Sequence, residues 1–131
     1  MTIDADLKAL ATGTNFAALA TISADGQPRN HVMWIDADDD HLLFNTEVHR
    51  AKFKDVERDG RVTISVINAE NPYQFIEARG TVVETVTGPD AKAHIDACAK
   101  RYMGADEYPM PIQSERVIVK VLPEKLHKNG F

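Results

Sequence analysis

Phe16-Ala-Ala-Leu-Ala-Thr-Ile-Ser-Ala-Asp-Gly-Gln-Pro-Arg-Asn-His-Val-Met-Trp-Ile35 is the stretch that decides the fold. Phe16 to Ser23 is dense in apolar and β-branched residues and stops at Ala24-Asp25-Gly26-Gln27. Asp-Gly between two strand-like runs is a strong hairpin signal, so Pro28 to Ile35 reads as the partner strand. On the N-terminal side, Asp4 to Ala11 predicts a short helix with Leu7 and Leu10 on one face, broken by Thr12-Gly-Thr-Asn15. On the C-terminal side, Asp36-Ala-Asp-Asp-Asp40 turns the chain. His41-Leu-Leu-Phe-Asn-Thr46 then reads as a third strand, completing a meander.

Between Val48 and Asp59 the residues Ala51, Lys52, Lys54, Glu57 and Arg58 favour helix, with Gly60 as its stop. Val62, Ile64 and Val66 alternate with Thr63, Ser65 and Ile67 in a strand that begins at Arg61 and is closed by Asn71-Pro72. Tyr73 to Val86 is long enough for a bent strand, with Gly80 at the bulge. Gly88-Pro89 opens a helix carrying Ala91, Ile95, Cys98 and Tyr102 on one face and ending near Gly104. After the stiff Tyr108-Pro-Met-Pro111, Glu115 to Leu122 is a last strand with Val117, Val119 and Val121 alternating. Six strands with flanking helices predict a mainly β (α+β) single domain over 1–131. A small closed antiparallel barrel suits such strands because closure removes exposed edges.

Composition narrows the function. At 44% hydrophobic and 27% charged residues the chain has the usage of a folded domain, and a net charge of -5 argues against a nucleic-acid partner, which calls for a broad basic surface. No apolar run reaches the roughly 20 residues of a membrane span. The single cysteine, Cys98, cannot form an internal disulfide, and Met1-Thr-Ile-Asp lacks the basic and apolar regions of a secretory signal. A cytoplasmic location without membrane contact is the expectation.

Within this acidic chain, His49-Arg-Ala-Lys-Phe-Lys54 stands out. It follows a strand end and opens a helix, where free backbone N–H groups and the helix dipole favour an anion and Arg or Lys adds charge-assisted bonds to phosphate. Thr46 offers a hydroxyl. The alternative is a solvated helix face paired with Asp55, Glu57 and Asp59.

Asp36, Asp38, Asp40 and Glu47 match positions 1, 3, 5 and 12 of a calcium loop, but His41 stands where that loop needs glycine, and strand follows. His94 and Cys98, four apart on a helix, read as a surface histidine beside a core thiol, since zinc wants three or four ligands. No metal site, covalent nucleophile or glycine-rich nucleotide motif is expected. Trp34, Tyr73 and Phe75 fit either a planar-ring wall or ordinary strand core.

Taken together, Ala20-Thr-Ile-Ser-Ala-Asp-Gly-Gln-Pro28, Asn45-Thr46 with Arg50-Ala-Lys52, Arg58-Asp-Gly-Arg-Val62 and Asn71-Pro-Tyr73 through Glu77-Ala-Arg-Gly80 resemble the pyridoxamine-phosphate-oxidase-like superfamily. More narrowly they resemble its deazaflavin (coenzyme F-420) dependent oxidoreductase branch, in order and spacing across roughly residues 10–123. The resemblance implies a split-barrel homodimer with two cofactor sites at the interface. Thr46, Arg50 and Lys52 would bind the phosphate and His49 would join them. Val32, Met33 and Trp34 would border the ring, largely through backbone groups, and Phe75 would approach from the partner chain. Where the branch commonly has Asn-Leu, this chain has Asp55-Val56, which puts a negative charge near the phosphate.

The implied activity is hydride transfer between the reduced deazaflavin and an unsaturated or quinone-like small molecule, with no catalytic side chain required. FMN, whose phosphate Arg50 and Lys52 would serve equally well, is the alternative cofactor. A non-catalytic flavin, deazaflavin or heme binder is the alternative class.

Overall fold

The computed structural model describes residues 2–131. In chain order it runs α1 (Ala5–Thr12), β1 (Phe16–Ile22), β2 (Pro28–Trp34), β3 (Asp36–Ala37), β4 (Leu42–Glu47), α2 (Ala51–Arg58), β5 (Arg61–Ile67), β6 (Phe75–Thr87), α3 (Pro89–Met103) and β7 (Arg116–Asn129). The six expected strands are present, together with the two-residue β3.

The expected hairpin forms, with Phe16 opposite Trp34 and Ile22 opposite Pro28. Gly26 takes the turn's positive φ of 88°, and Asp25 Oδ1 accepts from the Gln27 N–H at 3.0 Å. Asp4 caps α1 by accepting from the Leu7 N–H at 3.0 Å.

The expected meander is corrected. The sheet order is β2-β1-β5-β6-β7-β4-β3, all neighbours antiparallel, so β4 lies next to β7 and not beside β2. Burial supplies the reason. Leu42 and Phe44 face the main core with Val117, Val119 and Val121, while Leu43 and Ile118 face the other way into a second cluster with Ala91 of α3. A strand apolar on both faces needs cover on both, and beside β7, beneath α3, β4 has it.

The two edges of this sheet, β2 and β3, are separated in sequence by Ile35 alone. Two edges one residue apart must meet in space, so the sheet closes on itself. Long strands make the bend. β6 has register shifts between Arg79 and Gly80 and between Val82 and Glu84. At Gly80 an added Cβ would lie 2.3 Å from the Leu122 carbonyl oxygen, so only glycine permits that approach. β7 runs to Asn129, well beyond the expected Leu122, because both arms of bent β6 pair with it. Those extra residues are mostly exposed and carry no apolar alternation.

Helix α2 crosses the end of the barrel, burying Phe53 and Val56. Asp55 beside them is 3% exposed. Its Oδ2 accepts from Thr21 Oγ1 and Arg29 Nε, both at 2.8 Å, and its Oδ1 from Arg58 Nη2 at 3.0 Å. The negative charge expected near the phosphate is thus taken up in a clasp joining α2 to the β1–β2 hairpin. Burial alone would raise the Asp55 pKa, but bonds from Arg29, Thr21 and Arg58 more than offset it and the net direction is down.

A carboxyl with a lowered folded pKa contributes stability above its unfolded value, here 3.8, and loses it as pH falls through the folded one. Asp55→Ala should destabilise the fold by about 3 kcal/mol, since it strips a buried network of its acceptor. It should also flatten the loss of stability on acidification below about pH 4. Urea melts at pH 7 and pH 3 measure both. An unchanged midpoint at pH 7 would refute the clasp.

Candidate functional site

Where the barrel closes, a cavity of about 350 Å³ opens between the end of β2, the middle of β4, the start of α2 and one face of α3. Ligand sites commonly occupy about 300–1,000 Å³. One wall is β2, an edge strand that pairs only with β1, so alternate peptide groups face away from the sheet. Val32, Met33 and Trp34 all line it. Val32 is 73% exposed, Met33 also packs on the core, and Trp34 is half-buried. The Trp34 ring stacks on Tyr102 (centroids 5.0 Å, interplanar angle 3°) and meets Tyr108 edge-on at 6.2 Å. Trp34 is therefore part of an aromatic stack and a cavity wall at once.

The opposite end is cationic. Arg50 is the N-cap residue of α2 and its side chain makes no capping bond; Phe53 and Lys54 donate to the Arg50 carbonyl, which leaves the Ala51 and Lys52 N–H groups without a backbone partner among the described residues and open to an anion. Arg50 and Lys52 line the cavity and also an adjoining basin shared with His31 and His49. Lys52 has no carboxylate within ion-pair distance among the described residues. Burial, and then repulsion from Arg50 and Arg116, lowers its pKa. A half-buried lysine with cations as its charged neighbours is not a solvated helix face, and the alternative pairing with Asp55, Glu57 and Asp59 does not occur at Lys52.

Thr46 and Phe75 lie outside this cavity. Thr46 is on the Leu42–Phe44 side of β4, 1% exposed, and its Oγ1 has no partner among the described residues. Phe75 sits at the start of β6 against His127, with ring centroids 6.3 Å apart. His49 Nδ1 is 2.5 Å from Ser114 Oγ, and Glu47 approaches the same nitrogen at 4.0 Å. A catalytic relay uses both ring nitrogens, so this is no nucleophile triad.

Sequence reasoning missed the polar floor formed by Asn45, His94 and Arg116. His94, expected at the surface, is half-buried: its Nε2 is 3.0 Å from Asp36 Oδ2 and its Nδ1 3.1 Å from Asn45 Nδ2. The Asn45 amide is fixed from both ends. Arg116 Nε, which can only donate, reaches Asn45 Oδ1 at 2.8 Å, and Asn45 Nδ2 donates to the Ala91 carbonyl at 2.9 Å. An N–H of Asn45 thus points at His94 Nδ1, which must accept, and the ring's proton sits on Nε2 facing Asp36.

Burial disfavours the imidazolium, while Asp36 and Cys98 favour it and would push His94 up to about 9. The fixed Asn45 N–H opposes that second proton, and the neutral Nε2–H tautomer satisfies every bond in the chain. Asp36, His94 and Cys98 do bring three ligand atoms within 4.8 Å. With Nε2 protonated, however, His94 has no lone pair for a metal there. In the acidic turn, Asp38 Oδ1 accepts from the Asp40 and His41 N–H groups at 2.9 and 2.7 Å, an ordinary hairpin tip.

Compared with known proteins, the chain matches the family model described as pyridoxamine 5'-phosphate oxidase over residues 3–130. Curated proteins gave no match. Among solved structures, a protein described as an F420 reductase is 31% identical, with a TM-score of 0.81 over 92% of this chain and 94% of that one. A conserved hypothetical protein from Mycobacterium tuberculosis is 21% identical (TM-score 0.76, 98% and 85% covered). A heme storage protein from Vibrio cholerae is 15% identical (TM-score 0.66, 100% and 97% covered). The last two show the fold alone. Matched by the family model over almost its whole length, the chain belongs to the pyridoxamine 5'-phosphate oxidase family.

Proposed function

We propose that this protein is a deazaflavin (coenzyme F-420) dependent oxidoreductase that passes a hydride from the reduced cofactor to an unsaturated or quinone-like small molecule. One observation carries the reading: Lys52 is half-buried beside Arg50 and Arg116 with no acidic partner among the described residues, at the end of a cavity whose other wall is Val32 to Trp34. Cations gathered in a partly dry site in excess of their acidic partners favour an added anion, and the cavity continues from them along an edge strand suited to a planar ring. The relative described as an F420 reductase, at 31% identity, supports the deazaflavin over FMN.

In this reading Arg50, Lys52 and the open N-terminus of α2 hold the phosphate, with His49 at its margin. Val32, Met33 and Trp34 carry the ring, and Tyr108 and Met110 keep water from its exposed side. The bound cofactor supplies the hydride chemistry. A heme in the same cavity would find His94 with both ring nitrogens engaged. The working form is a homodimer in which each chain's Phe75 serves the other's site. Exposed Phe16 and Val32 at the cavity mouth, 45% and 73%, support a covering surface there.

Three measurements test this. Lys52→Ala should weaken the phosphorylated cofactor about ten- to a hundredfold, the equivalent of one charge-assisted contact, and leave its phosphate-free analogue nearly unaffected. Equal binding of the phosphorylated form by variant and wild type would remove the phosphate assignment. Trp34→Ala should weaken both forms alike and lower stability by about 3–5 kcal/mol, because the ring also stacks on Tyr102. Retained affinity for the phosphate-free form would take Trp34 out of the ring wall. Light scattering at micromolar concentration should give about twice the 14.5 kDa chain mass, and a monomer would rule out the shared site.

A further inference from the structure

We infer, resting on the phosphate reading above, that Arg116 is a third cation of the anion site and that the group received there carries two negative charges. Nothing in the sequence pattern marks Arg116. In the fold it stands opposite Glu47 in the β4–β7 register, is 7% exposed and lines the same cavity as Arg50 and Lys52. Its guanidinium plane is set by Nε donating to Asn45 Oδ1 at 2.8 Å and Nη1 to Glu47 Oε2 at 3.4 Å, with the Tyr108 ring 5.0 Å from Cζ. Neither Asn45 nor Glu47 takes Nη2. Tyr108 is also a hydrogen-bond partner of the guanidinium, but a neutral phenol leaves its charge uncompensated, so an arginine held this rigidly in the cavity wall is prepared for an anionic ligand oxygen.

Among the described residues, Glu47 is the only carboxylate in ion-pair contact with this group of cations. It is 1% exposed, and its Oε2 also lies 3.5 Å from Arg50 Nη2, so one oxygen sits against two guanidiniums. Its Oε1 is taken by the Gln113 and Ser114 N–H groups, both at 2.7 Å. Glu47 is thus a positioning residue with no lone pairs to spare for Lys52. Of the other nearby acids, Asp55 is held by Arg29 and Arg58, and Asp36 by His94 and Arg101. Three cations against one carboxylate leave two positive charges uncompensated in a partly dry site. A monoanion would neutralise half of that excess. A phosphomonoester dianion, or a phosphodiester with a carboxylate beside it, would neutralise all of it.

The probes are FMN, the methyl ester of its phosphate and riboflavin, which carry two, one and no charges at pH 8, above the monoester's second pKa of about 6. Their affinities are measured by calorimetry on the full chain and on Arg116→Gln and Arg116→Lys. Wild type should bind FMN about tenfold more tightly than the ester, and the ester about tenfold more tightly than riboflavin. In Arg116→Gln the first step should shrink to within about twofold while the second, which depends on Lys52, persists. Arg116→Lys should restore most of the first step. Each step is a ratio of affinities within one variant, so a change common to all three probes cancels, and thermal melts of both variants separate charge loss from misfolding. A full FMN-to-ester step in Arg116→Gln would overturn the inference and leave the phosphate reading intact, whereas wild type binding all three alike would overturn both.

Discussion

Ile35 belongs to neither edge strand and joins both, and the rest of the architecture follows from that. With β2 ending at Trp34 and β3 beginning at Asp36, the first and last strands of the sheet are tied by one residue. Its side chain fills the core at 1% exposure, but its peptide groups have no ladder to enter. α3 supplies the partners: the Ile35 N–H donates to Tyr102 Oη at 3.0 Å, and its carbonyl accepts from Arg101 Nη2 at 2.7 Å. The Tyr102 hydroxyl then donates to the Asn15 carbonyl, and Arg101 Nη1 to those of Ala11 and Gly13. Leaving one such buried peptide group unpaired costs about 1–3 kcal/mol, so the last turn of α3 has to sit on the seam.

That requirement creates the cavity. With its C-terminal turn at the seam, α3 lies back over β4 and places His94, Ile95 and Cys98 across from Val32 to Trp34. α2, inserted directly after β4, closes the end. Two buried acids then divide the positive charge. Asp55 takes Arg29 and Arg58 on the hairpin side, and Glu47, just before the helix, takes Arg50 and Arg116 on the cavity side. Lys52, between them on α2, is left to the cavity.

Much of the strand content was legible because it rests on local chemistry: Asp25-Gly26 for the first hairpin, alternation in Val62–Val66 and Val117–Val121, and Gly80 for the bend. What was not legible depends on register and on contacts far apart in the chain. Leu42-Leu43-Phe44 reads as one apolar run, and only the pairing with β7 reveals that its two faces serve two clusters. Arg116 gains meaning from lying opposite Glu47, 69 residues away. His94 looked like a surface residue because its partners, Asp36 and Asn45, lie 58 and 49 residues off. For the candidate site, local patterning singled out Arg50 and Lys52 and the resemblance singled out Val32–Trp34, all of which line one cavity, and neither reached the Asn45–His94–Arg116 floor.

The edge strand β2 shows how one segment satisfies two opposed demands. A free edge invites pairing with other chains, and proteins blunt such edges with proline and polar side chains. Pro28, Arg29, Asn30 and His31 do so over the first half of β2, where Arg29 is also tied to Asp55. The second half, Val32 to Trp34, is apolar and leads straight into Ile35, so charge there would have to enter the seam. The edge therefore remains unblunted only where it borders the cavity. An apolar edge confined to three residues lies between the cations Arg50 and Lys52 and the Trp34–Tyr102 stack, the arrangement that the proposed flat ring with a charged tail requires. The closure that holds the barrel together thus leaves that part of the strand open to such a ligand.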